Sequence, residues 1–205
     1  MIRYLAILLF FQVSLASYSQ GNDYFLLEKV YSSRNSDYDN TMHLVSQSVT
    51  PFSFAVPLTL LVSGYTRSDV DTWDDGVRAS IALGSAMTFT YIMKYTIDRQ
   101  RPYDKHPDII PFSRDFTASF PSGHTTSAFA TATTLSILKP EWYVIIPAYG
   151  YAVLVGYSRM HLGMHYPSDI VIGALVGTGF AILSHKLNKL VRPAYMYPHK
   201  FRVKP

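Results

Sequence analysis

Residues 158–169 read Ser-Arg-Met-His-Leu-Gly-Met-His-Tyr-Pro-Ser-Asp, set between the apolar runs 142–156 and 170–183. Polar groups at such a junction are costly to bury and are usually there for a purpose. His165 and Asp169 are four apart, so on a helix they share a face. A carboxylate there can hold one imidazole nitrogen and leave the other free for nucleophilic or acid–base work. Helix capping explains the same residues as well: Ser168 or Asp169 would cap a helix that opens at Pro167.

Two more clusters change that balance. One is Lys94 with Arg101-Pro102. The other is Pro121-Ser122-Gly123-His124, at the head of a small-residue segment. A helix beginning at Ser122 and Gly123 presents unpaired backbone N–H groups and a positive dipole end, and glycine admits an anion close to the backbone. Arg101 and Arg159 can grip phosphate oxygens bidentately, while Lys94 adds a point charge. Taken singly, each cluster reads equally well as a cap or as side chains snorkelling from a membrane end. Converging, they make an oxyanion site with two histidines, His124 and His165, beside it. His161 lies in the same stretch and reads as a structural or rim group. His106 falls in a proline-rich loop and is expected to face solvent. His43, His185 and His199 have no constellation. Asp74-Asp75 lacks further ligands for a metal and reads as part of a solvated connection. Tyr103, Phe112 and Phe116 either line an entry path or pack their loop.

The elements that would position these groups are helices. Apolar segments of about 14 to 20 residues at 51–64, with a start that can extend back to Met42, and at 79–93, 122–138, 142–156 and 169–185 show little strand-like alternation. Of 205 residues, 48% are hydrophobic and only 16% charged, well below the ~25% of soluble domains. A net charge of +4 without a basic, aromatic-interleaved run excludes a nucleic-acid partner. Cysteine is absent, so there are no disulfides and no thiolate-ligated metal. Arg3, the apolar stretch 4–13 and small residues near 14–19 read as a bacterial secretory signal, with an uncleaved first span as the rival. Residues 20–205 then form a single domain. Segment 20–47 is polar, with a surface helix near 24–30 and a loop through Asn40. Residues 65–77 read as a polar connection.

Gly173 and Gly177 form a small-residue pair suited to close helix approach. The tail carries Lys186, Lys189, Arg192, Lys200, Arg202 and Lys204. If that tail is cytoplasmic, alternation of the helices places the three polar clusters and segment 20–47 together on the exported side. The expected fold is therefore an all-α, membrane-embedded bundle of five apolar helices.

Lys94, six residues, Arg101-Pro102; then Pro121-Ser122-Gly123-His124; then Arg159, five residues, His165, three residues, Asp169: this series resembles the three-part signature of the type 2 phosphatidic acid phosphatase (PAP2) superfamily. That superfamily also holds bacterial acid phosphatases and vanadium haloperoxidases. The resemblance implies a PAP2-type bundle and metal-independent phosphate ester hydrolysis without a cofactor. His165 would be the nucleophile forming a phosphohistidine, Asp169 its orienting partner and His124 the general acid. Lys94, Arg101, Ser122, Gly123 and Arg159 would bind the phosphoryl oxygens. The wording of 162–169 is similar to the lipid-phosphatase branch, which implies a phosphorylated lipid as substrate: phosphatidate, phosphatidylglycerol phosphate, polyprenyl diphosphate or lipid A. The site would face the periplasm from the inner membrane. The alternatives are a soluble periplasmic acid phosphatase and, more remotely, a vanadium-dependent haloperoxidase.

Overall fold

The structure, a computed structural model, describes residues 20–191. The expected signal or first span, and most of the basic tail, lie outside the described residues. The elements run α1 Gln20–Ser32, a 3-10 turn Ser36–Tyr38, α2 Asp39–Arg67, α3 Val70–Ile97, α4 Pro102–Lys105, α5 Gly123–Leu138, α6 Trp142–His161 and α7 Pro167–Val191. No strand occurs among the described residues.

α5 stands at the centre, packed against α2, α3, α6 and α7. Its sequence explains why. Thr125, Thr126, Ser127, Ala128, Ala130, Thr131, Ala132, Thr133 and Thr134 are all buried, and small side chains let several helices surround one. α7 comes closest. A Cβ added at Gly173 would lie 2.8 Å from the Ser122 carbonyl oxygen, and one at Gly177 would lie 2.8 Å from the Ala130 nitrogen. The glycine pair therefore sets this contact, and a larger residue at either position would push α7 off α5.

The outside is the inverse of the inside. Phe54 and Leu58 on α2, Ile92 on α3, Ile146 and Val153 on α6, and Leu175 on α7 are all exposed. Small and hydroxylic residues within and large apolar residues without suit a bilayer as the surrounding solvent. Ser36–Arg67 and Pro167–Leu187 are each long and apolar enough to span one.

Two expectations need correction. Residues 65–77 are not a connection: α2 runs to Arg67, and α3 starts at Val70. Ser68 takes a left-handed conformation, φ 57°, and the Asp69 carboxylate caps α3 by accepting from the Asp71 and Thr72 N–H groups. Local capping chemistry compresses the turn to two residues, so the aspartates fall on a helix. Asp74 is accordingly fully buried rather than solvated, and Asp75 pairs with Arg78 at 3.3 Å. α2 also begins at Asp39, just before the earliest start at Met42 that the sequence allows, and continues through Pro51 and Pro57. Neighbouring helices re-satisfy the backbone groups that proline frees, so proline does not end a packed membrane helix.

Candidate active site

Lys94 lies in the last turn of α3, Ser122 caps α5, Arg159 closes α6, and Asp169 opens α7. The ends of four helices thus meet at one end of the bundle. The junction is tied through the main chain: Ser122 N–H donates to the Asp169 carbonyl at 3.1 Å, and Ser119 N–H to the Arg99 carbonyl at 2.8 Å.

α7 starts with Pro167 in its first position, which suits a residue lacking an N–H. The Asp169 side chain reaches back to accept from Tyr166 N–H at 2.9 Å, the reciprocal bond of a capping box. Capping therefore occupies only part of this carboxylate. Its Oδ2 also accepts from Ser119 Oγ at 2.5 Å and faces His165 Nδ1 at 3.4 Å. Its Oδ1 accepts from Arg99 Nη1 at 2.7 Å. With the proton on Nδ1 toward Asp169, the lone pair of His165 sits on Nε2, 3.5 Å from Arg101 Nη1. Burial, then the Arg101, Arg159 and Lys94 cations, hold the His165 imidazole well below its ordinary pKa. It is therefore neutral, the form a nucleophile needs.

Arg99 is the residue the sequence reading missed. Besides Asp169 it bonds Asp23 of α1 at 2.7 Å and Ser168 Oγ at 2.7 Å, and its guanidinium lies 4.0 Å over the Tyr166 ring. Asp23 in turn accepts from Ser168 N–H at 2.9 Å and from the Ser168 hydroxyl. The available signal was a third cation only two residues before Arg101. Asp23 offered none, being one acidic residue on a polar helix.

On the other side of His165 stand Lys94, Arg101 and Arg159, all buried. Lys94 Nζ donates to the Ala118 carbonyl. Arg101 donates to Thr117 O at 2.8 Å and Met164 O at 3.1 Å. Arg159 donates to Ser46 Oγ at 2.7 Å, and its Nε has no hydrogen-bond partner. A carboxylate on the loop, Asp115, lies 3.2 Å from Arg101 and 3.1 Å from Arg159. His124 is partly buried and electrostatically close to Arg159, Asp115, Arg101 and Lys94. The structure thus brings together all eight residues singled out, with one refinement. The Ser122 hydroxyl is engaged with Thr125, and its N–H with Asp169. The first-turn N–H groups left for an anion are those of Gly123 and His124. Three cations around one carboxylate can neutralise a polyanion beside a neutral imidazole, the arrangement phosphoryl transfer asks for. Among the described residues no three His, Asp or Glu side chains converge as a metal cluster.

The remaining histidines have other duties. His161 Nε2 is 2.8 Å from Asp39, which pins the start of α2. His106 does not simply face solvent: its ring is stacked on Tyr24 at 3.7 Å, because α1 lies across the loop. Tyr103 is buried and packs that loop, while Phe116 is fully exposed.

Known proteins resemble this chain in sequence and fold. The chain is 31% identical over 130 residues to an undecaprenyl-diphosphatase of Sulfolobus acidocaldarius, covering 63% of this chain and 61% of that protein. It is 30% identical over 134 residues to phosphatidylglycerophosphatase B of Bacillus subtilis, covering 61% and 63%. It thus spans about three fifths of the length of these relatives. A lipid A 1-phosphatase of Rhizobium johnstonii is 35% identical over 98 residues, covering 45% of this chain and 39% of that one. Among solved structures, the transmembrane PAP2-type phosphatidylglycerolphosphate phosphatase of Bacillus subtilis shares the fold. Its TM-score is 0.72 at 22% identity, covering 93% of this chain and 98% of that one. LpxE of Aquifex aeolicus follows with a TM-score of 0.65 at 26% identity, covering 80% and 94%. The family profile described as the PAP2 superfamily matches residues 75–192. Since that segment is more than half of the chain and carries Lys94, Arg101, His124, Arg159, His165 and Asp169, the chain belongs to the PAP2 superfamily.

Proposed function

We propose that this protein is a membrane-bound lipid phosphatase, hydrolysing a phosphomonoester or diphosphate group of a lipid through a phosphohistidine. The observation that carries the reading is the charge imbalance in front of His165. Lys94, Arg101 and Arg159 are buried there, and among the described residues Asp115 is the one carboxylate in ion-pair contact with any of them, reaching Arg101 and Arg159. Buried cations are costly without counter-charge, and a phosphoryl group supplies it.

His165 Nε2 attacks phosphorus as the bond to the leaving oxygen breaks, and His124 gives that oxygen its proton. Asp169 steadies the imidazole through Nδ1. Water then attacks the phosphohistidine, His124 takes the proton, and phosphate and neutral His165 are released. Lys94, Arg101, Arg159 and the first-turn N–H groups of Gly123 and His124 hold the phosphoryl oxygens as charge moves among them. No metal or cofactor is assigned a role. Splitting the reaction through a covalent intermediate helps with a substrate class whose uncatalysed hydrolysis needs accelerations of up to ~10²¹.

Residues 20–205 form the single catalytic domain, following a secretory signal or first span. The site opens on the periplasmic face of a bacterial inner membrane. The alternation of helices from a basic cytoplasmic tail supports that side. The exposed apolar side chains of α2, α3, α6 and α7 favour a lipid substrate over a soluble ester. The relatives act, by their names, on undecaprenyl diphosphate, phosphatidylglycerophosphate and lipid A.

Purified protein in detergent is expected to release phosphate from at least one of phosphatidic acid, phosphatidylglycerol phosphate, undecaprenyl diphosphate and lipid A, faster than from a soluble ester. Orthovanadate should inhibit and EDTA should not. No release from any lipid, or loss of activity in EDTA restored by a divalent metal, would overturn the proposal.

A further inference from the structure

Asp115 occupies an unusual place. It belongs to the loop between α4 and α5, and its side chain is 41% exposed, yet one oxygen reaches two guanidiniums that are each 3% exposed. Oδ2 lies 3.2 Å from Arg101 Nη2 and 3.1 Å from Arg159 Nη2. A phosphoryl oxygen gripped by both arginines would sit in this position. The loop is held at the same residue by Tyr103, whose hydroxyl donates to the Asp115 carbonyl and accepts from the Asp115 N–H, both at 3.1 Å. Beside it, the buried Arg159 Nε has no hydrogen-bond partner, so this guanidinium has a donor to offer an incoming anion.

We infer that Asp115 is a tethered counter-ion which competes with the phosphoryl group for Arg101 and Arg159 and sets how loosely they hold phosphate. The inference rests on the phosphatase reading above. A pocket of three buried cations would bind inorganic phosphate, the product, tightly enough to slow release. A carboxylate on a short tether has a high effective concentration, so it competes with every anion that enters and refills the space as phosphate leaves. Phosphate still wins when abundant, because it carries about −1.5 to −2 charges and three acceptor oxygens against a single charge. The contact therefore weakens substrate and product binding alike and speeds turnover when release is limiting.

The sign of the effect separates this from a structural role. Asp115→Asn keeps the shape and the backbone bonds to Tyr103 while removing the charge. Inorganic phosphate titrated calorimetrically into the full chain in detergent should bind Asp115→Asn about tenfold more tightly than wild type, the size of one partly screened charge contact. KM for phosphatidic acid should fall, kcat should not rise, and inhibition by added phosphate should deepen. Asp115→Glu should stay near wild type. Tyr103→Phe, which loosens the tether but keeps the carboxylate, should tighten phosphate by a smaller factor, so the test survives if Asp115→Asn does not fold. Unchanged or weaker phosphate binding in the folded variants would overturn the inference while leaving lipid hydrolysis by the wild type intact. The predicted binding pattern without lipid hydrolysis would instead sink the function and keep the counter-ion.

Discussion

The two sides of His165 are built differently. Behind the ring, Asp169, Arg99, Asp23, Ser119 and Ser168 satisfy one another, with both Asp169 oxygens bonded and Arg99 shared between two carboxylates. In front, the cations lean on the carbonyls of Thr117, Ala118 and Met164, on the Ser46 hydroxyl and on one half-exposed carboxylate, and the Arg159 Nε has no hydrogen-bond partner. A closed polar network fixes geometry, because breaking any one bond leaves a buried group unpaired. An open set of donors binds a ligand, because its demand is met only when the ligand arrives. In the proposed mechanism the rear aims the imidazole, and the front receives what it attacks.

The largest effect should come from the group the two sides share. His165→Ala is expected to lower kcat at least about 10⁴-fold, as loss of a nucleophile does, and to abolish labelled phosphoenzyme in acid-quenched protein. His124→Ala should cost about 10²- to 10⁴-fold, the usual range for a general acid, while phosphoenzyme still forms from a substrate with a good leaving group. A rise in phosphoenzyme for His165→Ala would remove the distinction between the sides.

Breaking the rear comes next. Arg99→Ala strands Asp169 and Asp23 without their cation and should destabilise the fold by about 3–5 kcal/mol, as the loss of one partner from a buried pair does. It should also reduce kcat about 100-fold by misaiming His165, with KM little changed. Thermal unfolding beside steady-state kinetics checks both. A KM effect with kcat intact would move Arg99 to the front.

A front-side change should show the opposite split. A Cβ at Gly123 would sit 3.6 Å from Met87 Cε, an ordinary contact, so Gly123→Ala should fold normally. It should nonetheless raise KM and the orthovanadate Ki about tenfold, since the methyl group meets the anion rather than the protein. Equal KM in mutant and wild type would show that the helix start does not touch the ligand.

The smallest expected effect is a slope. His165 is neutral in the folded chain, with its pKa held well down by burial and the nearby cations, whereas an unfolded histidine takes a proton below about pH 6.5. The unfolded state then binds more protons, so stability should fall as pH drops below that value, by at most about 1.4 kcal/mol per pH unit from this group. Comparing the melting temperatures of wild type and His165→Gln between pH 7 and pH 5 isolates it.

Much of this arrangement was legible beforehand, and particular residues show why. Lys94, Arg101, Ser122, Gly123, His124, Arg159, His165 and Asp169 stand out together: each cluster alone reads as a cap or as snorkelling side chains, but three of them fall at apolar segment ends. Topology alone then carries those ends to one level. The 65–77 segment misled because four aspartates look solvated until Asp69 is recognised as a cap, which puts Asp74 on a helix face turned inward. His106 misled because nothing near it in sequence announces that Tyr24 will cover it.

The sequence by itself determined the apolar helices, the suitability of Gly173 and Gly177 for a close helix contact, and which end holds the charge. These depend on residue type and short-range spacing. Only the tertiary structure decided that Arg99 backs Asp169, that Asp23 reaches the same network from α1, and that Asp115 lies across Arg101 and Arg159. Those contacts join residues 14 to 76 positions apart. A charged residue's partner at that separation is chosen by how the helices pack, which no local pattern records.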